Sequence, residues 1–190
     1  MASLRASIVL ATVLAAIPAT PLLGQTPDSA VFHRRQWGVD FNIGGGFVGA
    51  GLIHFSSPTH ALVLALSGNV TTTTSTALGG TENNWQVNLS LGVRRYHSFA
   101  PNLNIYRTVG VEGFYGHEFS GGPTANTWRG GLFGELGAGW LVTPHLAVGA
   151  AWQLSADYWH SKNTAGPNSS TTHEISLTLG TVQLRGQVYF

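Results

Sequence analysis

The sequence predicts an all-β fold: an eight-stranded antiparallel up-and-down transmembrane β-barrel, preceded by a cleaved signal peptide. Three observations carry this prediction. Apolar and polar residues alternate in period two over eight segments, a pattern with no helical reading. Charged residues make up 9% of the chain, against about 25% in soluble domains. Beyond residue 24 there is no run of ~20 apolar residues that would cross a bilayer as a helix. With a single lysine, Lys162, a water-facing surface of this size would be short of the charge that keeps a protein soluble. A closed barrel instead satisfies its backbone groups within lipid.

The elements follow in chain order. Residues 1–24 read as the signal peptide. Arg5 supplies the positive start, Ile8 to Ile17 is an apolar stretch too short for a spanning helix, and Pro18 and Pro21 end it. Cleavage is expected near Gly24–Gln25 and leaves 166 of the 190 residues, the size of one domain, at zero formal charge. Residues 25–36 form a short N-terminal segment and 37–190 the barrel. No basic patch points to nucleic acid, and zero cysteines exclude a disulfide framework.

The first segment, 37–45, sets Trp37, Val39, Phe41 and Ile43 against Gly38, Asp40 and Asn42. The second, 47–56, is less regular, with Phe47, Ile53 and Phe55 as its apolar residues. The third, 61–72, has Leu62, Leu64, Leu66 and Val70 on one face. The fourth, 84–97, sets Trp85, Val87, Leu89, Leu91 and Val93 against Gln86, Asn88, Ser90, Gly92 and Arg94. The fifth, 104–119, sets Ile105, Val109, Val111 and Tyr115 against Thr108, Gly110 and Glu112. In the sixth, 128–142, Trp128, Leu132, Leu136, Ala138 and Trp140 oppose Arg129, Gly131, Glu135, Gly137 and Gly139. The seventh, 146–160, sets Leu146, Val148, Ala150, Trp152, Leu154 and Tyr158 against Gly149, Gln153, Ser155 and Asp157. The eighth, 172–190, changes phase. Ile175, Leu177 and Leu179 are odd-numbered and Val182, Leu184, Val188 and Phe190 even, so a β-bulge is expected at Gly180.

Connections alternate in length. Ser57-Pro58-Thr59, Ala100-Pro101-Asn102 and Thr143-Pro144-His145 are short turns, while 71–84, 120–127 and 161–172 are longer polar loops. Short turns belong on the periplasmic side of a barrel and long loops outside. The first outside connection, Gly44 to Gly46, is short. It opens a G-x-G-x-x-G match, but no helix follows and no acid occurs between 41 and 81, so it reads as a hairpin tip.

The last segment carries a resemblance. Val182, Leu184, Gly186, Val188 and Phe190 alternate with polar residues, Tyr189 excepted, and resemble the C-terminal assembly-signal strand of Gram-negative outer-membrane β-barrels. In size and pattern the chain is similar to the OmpA-like and OmpX-like barrels. The resemblance implies a monomer in the outer membrane, exported by the secretory pathway. Its expected partners are the barrel assembly machinery, lipopolysaccharide and phospholipid, and it is expected to use no cofactor or metal.

Residue placement is consistent with lipid on the outside. Trp85, Tyr115, Phe119, Trp128, Tyr158 and Trp159 are expected in a girdle at the outside ends of the strands. Trp37, Phe55, Tyr96, Phe99, Tyr106, Trp140, Tyr189 and Phe190 are expected in a second girdle at the periplasmic ends. Arg95 and Arg107 break the apolar face beside one periplasmic turn, where arginine snorkels to headgroups alongside Arg34 and Arg35. In a soluble barrel with an apolar interior, the Gly/Ser/Gln/Asn face would meet water and need more charge than it has. As an eight-stranded lumen, that face is filled by its own side chains.

The expected lumen charges are Asp40, Arg94, Glu112, Arg129, Glu135, Asp157 and Arg185. They must pair or change protonation. If the hairpin over 119–128 is centred between 123 and 124, Glu112 faces Glu135 and Glu118 faces Arg129. The resemblance implies a salt-bridged plug; a proton path or small pore is the alternative. An enzymatic alternative rests on His160-Ser161 and Glu174, which somewhat resemble the His-x-Ser-Asn stretch and later Glu of lipid A deacylases, although adjacent strand residues point to opposite sides. His117, His160 and His173 fall at outside strand ends without metal-site spacing. An exported barrel binding an apolar ligand is a third reading.

Overall fold

The computed structural model describes residues 32–75, 80–120, 124–165 and 168–190; the expected signal peptide lies outside them. The strands are β1 (Trp37–Gly44), β2 (Phe47–Ser57), β3 (His60–Ser75), β4 (Gly80–Ala100), β5 (Leu103–Ser120), β6 (Thr124–Thr143), β7 (Leu146–Ala165) and β8 (Asn168–Tyr189). They pair antiparallel in chain order, and β8 pairs with β1 to close the barrel. Closure leaves no sheet edge, which is the condition for a sheet to stand in lipid.

The wall is apolar outside and polar inside. Leu64, Leu89, Val111, Leu132, Val148 and Leu184 are exposed, whereas Asp40, Arg94, Glu135 and Asp157 are each 1% exposed. This inverts the arrangement of a water-soluble domain. On β6 the exposed indoles of Trp128 and Trp140 stand twelve residues apart. At ~3.3 Å per residue and a tilt of about 40°, they bracket roughly 30 Å along the axis, the thickness of a hydrocarbon core.

The strands run further than the alternation suggests at the long-loop end. Pairing continues to Ser75↔Gly80, Phe119↔Thr124 and Ala165↔Asn168, so most of the polar residues expected in loops are hairpin extensions. At the other end the three Pro turns share one construction. Each has two turn residues, and each is preceded by a register shift of one residue, at Ser56, Phe99 and Val142. The carbonyls of Thr59, Asn102 and His145 accept hydrogen bonds from the N–H groups of Tyr96, Leu141 and Tyr189, all at 2.8 Å. Each short turn is thereby tied to a neighbouring strand.

Two glycine devices shape the outline. Gly45 and Gly46 both have positive φ, 60° and 82°, and make the two-residue β1–β2 turn. Gly180, at φ 86°, is the extra residue between Gln153↔Thr181 and Leu154↔Leu179. The expected bulge is therefore present, and it keeps Ile175, Leu177 and Leu179 on the same outer face as Val182 and Leu184.

The second segment is corrected. Ile53 and Phe55 are fully buried in the lumen with Phe47 on the same side, and the outer face of β2 is Val48, Ala50, Leu52 and His54. The hairpin register is also corrected. Glu112 pairs with Gly131 and Thr108 with Glu135, a register four residues away from the expected one. Glu112 therefore does not face Glu135, and Glu118 lies opposite Ala125 rather than Arg129.

Candidate functional site in the barrel lumen

Inward-pointing residues of a strand pair at alternate positions, so the lumen is built in levels. At the short-turn end the level is aromatic. Phe32, Phe55, Tyr96, Tyr106 and Tyr189 are all buried. Phe32 stacks on Phe55 at 4.5 Å between ring centroids and lies 4.8 Å from both Tyr96 and Tyr189. Tyr96 continues to Tyr106 at 5.6 Å. Phe32 precedes the first strand, so the N-terminal segment puts a side chain into the barrel. It is held by Arg35 N–H to Phe55 O at 2.7 Å and Phe55 N–H to Gln36 O at 2.9 Å. Phe55, Tyr96, Tyr106 and Tyr189 thus leave the expected outer girdle, in which Trp37, Phe99, Trp140 and Phe190 remain exposed.

Above the aromatics lies a closed ring of charge. Arg94 donates to Asp40 at 3.2 Å and to Glu135 at 2.9 Å. Arg185 donates to the same two carboxylates. The four side chains come from β1, β4, β6 and β8, so the ring ties strands on opposite sides of the barrel. Thr108 fits between them: it accepts from Arg94 Nε at 2.9 Å and donates to Glu135 at 3.0 Å. The Arg94 guanidinium also lies 4.3 Å from the Tyr106 ring centroid, which couples the charge ring to the aromatic level. Two arginines and two carboxylates sum to zero, which is what a buried ionic group requires.

A third level follows. Glu112 accepts from Asn88 at 3.4 Å and from Gln153 at 3.2 Å. Arg129 approaches Asp157 at 3.7 Å, and Ser155 donates to Asp157 at 2.8 Å. Arg129 lies over the rings of Phe114, at 4.4 Å, and Trp159, at 5.1 Å. Trp159 faces inward, donating to Ser176 Oγ at 2.9 Å, so it too leaves the expected outer girdle. Beyond it opens a shallow vestibule of about 150 Å³ bordered by Asn84, Gln86, Glu118 and Thr127. A smaller cavity of about 40 Å³ adjoins the charge ring.

The sequence-expected residues therefore separate. Asp40, Arg94, Glu135 and Arg185 meet directly; Arg129 and Asp157 form a second pair; Glu112 is held by amides. Trp85, Tyr115, Trp128, Tyr158 and Trp140 are exposed on the outer wall, as are Val182, Leu184, Val188 and Phe190 of the last strand. The His160, Ser161 and Glu174 set is not assembled. Ser161 receives a bond from Thr127 on the inner side, at 3.1 Å, whereas His160 packs on Trp128 of the outer wall and faces His173 across 3.4 Å. Glu174 pairs across from Trp159. His117 stands apart, 2.7 Å from Asn126. Among the described residues no group of three or more His, Cys, Asp or Glu side chains is placed to hold a metal ion.

An apolar outer wall of bilayer height around a charged interior defines a transmembrane β-barrel. The chain has the fold of the small eight-stranded outer-membrane barrels. It is similar to the outer membrane protein OprG of Pseudomonas aeruginosa, with TM-score 0.60 and 12% identity over 84% of this chain and 98% of that one. It is also similar to the N-terminal β-barrel domain of OprF from the same organism, with TM-score 0.54 and 10% identity over 84% and 100%. A major outer membrane protein of Thermus thermophilus gives TM-score 0.54 and 12% identity over 82% and 98%. No protein-family model and no curated protein sequence matches the chain.

Proposed function

We propose that the protein is a non-enzymatic integral outer-membrane barrel, closed to ions, that serves envelope structure or surface recognition through its protruding hairpins. The short-turn end is periplasmic in this reading, and the ends of β3 to β8 at the opposite side face the outside. The observation that carries it is the lumen. Side chains from opposite strands meet across it at the aromatic and charged levels, with an ion-pair ring at its centre. A conducting pore of this strand number would need those levels to part. Separation of His160 and Ser161 onto opposite sides of the wall weighs against the lipid A hydrolase alternative.

Two measurements test the proposal. The folded protein should migrate faster than its boiled form in a detergent gel. In planar bilayers it should give no stepwise conductance above the protein-free background. Reproducible single-channel steps from the purified chain would replace the plug with a pore.

A further inference from the structure

The outer wall near the short-turn end is not uniform. Arg95 of β4 and Arg107 of β5 are direct cross-strand partners on the lipid-facing side, and Arg95 is in turn opposite His60 of β3. His97 lies on the same face of β4, one residue pair nearer the turn, and is exposed. Four cationic or titratable basic side chains therefore crowd three adjacent strands. Elsewhere at the same end, the wall over β6 to β8 is Trp140, Val142, Leu146, Val148 and Phe190, all exposed and apolar.

Two like charges directly opposite on neighbouring strands repel and weaken a sheet. An anion shared between them turns the repulsion into attraction. A guanidinium offers five N–H donors in a planar fork and takes a phosphate bidentately. The pair stands inside the apolar band rather than at its rim, so meeting a headgroup phosphate requires the guanidinium groups to snorkel. Arg95 is five residues from the end of β4 at Ala100, about 17 Å along the strand and roughly 12 Å along the axis. From there a long side chain reaches back toward the interface. Ser57 and Thr59 hydroxyls hold His60 at the end of the row, at 3.1 and 3.0 Å from its Nδ1.

We propose that Arg95 and Arg107, flanked by His60 and His97, form a docking site for the headgroup phosphate of one anionic phospholipid in the leaflet at the short-turn end. The site rests on the membrane reading above. Charge complementarity selects its occupant. A phosphatidylglycerol-type headgroup brings net negative charge to the cluster, whereas zwitterionic phosphatidylcholine brings a quaternary ammonium that the arginines repel.

Native mass spectrometry of the folded protein from micelles containing equimolar phosphatidylglycerol and phosphatidylcholine tests the proposal. One phosphatidylglycerol should be retained severalfold over phosphatidylcholine. The preference should fall to near parity in R95Q/R107Q, and it should survive in K162Q, which removes an exposed cation at the opposite end of the barrel. Fast gel migration establishes that each variant is folded; if the double variant does not fold, R95Q alone should lower the preference. Equal retention of the two lipids by the parent protein, or a preference untouched by the Arg95 substitutions, overturns the site. Replacement of the retained phosphatidylglycerol by added lipopolysaccharide overturns the choice of occupant. A parent protein that is monodisperse without detergent instead sinks the membrane reading.

Discussion

Asp40 and Glu135 each accept bonds from both Arg94 and Arg185, so the ring has no spare member. Loss of one carboxylate leaves a buried guanidinium charge uncompensated, at a cost of about 3–5 kcal/mol. Glu135→Gln should lower the unfolding free energy by that amount in urea titrations of the vesicle-embedded protein. Adding Arg185→Gln restores neutrality by leaving the Arg94–Asp40 pair. The double variant should therefore lose less than the sum of the two single losses. Additive losses would show that the four groups do not act as a ring. These residues were legible individually, because each shares the parity of small polar neighbours on its strand. Their pairing was not, because it depends on which strands face each other across the lumen.

At the scale of elements, period two located all eight strands, and the phase change in the last one located Gly180. The bulge holds that residue at a φ that side chains with a Cβ adopt only at a cost of about 1–2 kcal/mol. Gly180→Val should lower stability by at least that much, seen as a lower urea midpoint, while Gly186→Val, where nothing lies within 4 Å of an added Cβ, should be near neutral. An equal effect at both positions would contradict the bulge. Sequence reading failed at β2 for a definite reason. Its largest apolar residues, Ile53 and Phe55, line the lumen, so hydrophobicity named the wrong face. The inner tyrosines carried a usable signal. Tyr96 shares the parity of Arg94, Tyr106 that of Thr108, and Tyr189 that of Arg185 and Gln187. Aromatic type suggested a girdle, and parity was the better guide. The β5–β6 register lay beyond reach, since polar residues on both sides of the turn allow several centres.

For the whole molecule, the fold follows from where charge is absent. Among the described residues, a wall with little charge outside and Asp40, Arg94, Glu112, Glu135, Asp157 and Arg185 buried inside is stable only if lipid replaces water around it. The apolar height of roughly 30 Å and the closure of β1 on β8 follow from the same alternation. Closure is completed beyond the last paired strand residue, where Trp37 and Phe190 exchange backbone hydrogen bonds at 3.2 and 2.9 Å. The aromatic and ionic levels then brace opposite strands against each other, which a hollow barrel of the same wall would lack.

The orientation of the wall is open to direct measurement, because the chain has no native cysteine. Single cysteines placed in turn at residues 87 to 93 of β4, spin-labelled and reconstituted in phospholipid vesicles, report collision with oxygen dissolved in the hydrocarbon. The inward face of β4 in this span is Asn88, Ser90 and Gly92, and the outward face is Val87, Leu89, Leu91 and Val93. Oxygen accessibility should be high at the four odd positions and low at the three even ones. The opposite alternation, or none, would contradict a barrel that turns this apolar face to lipid.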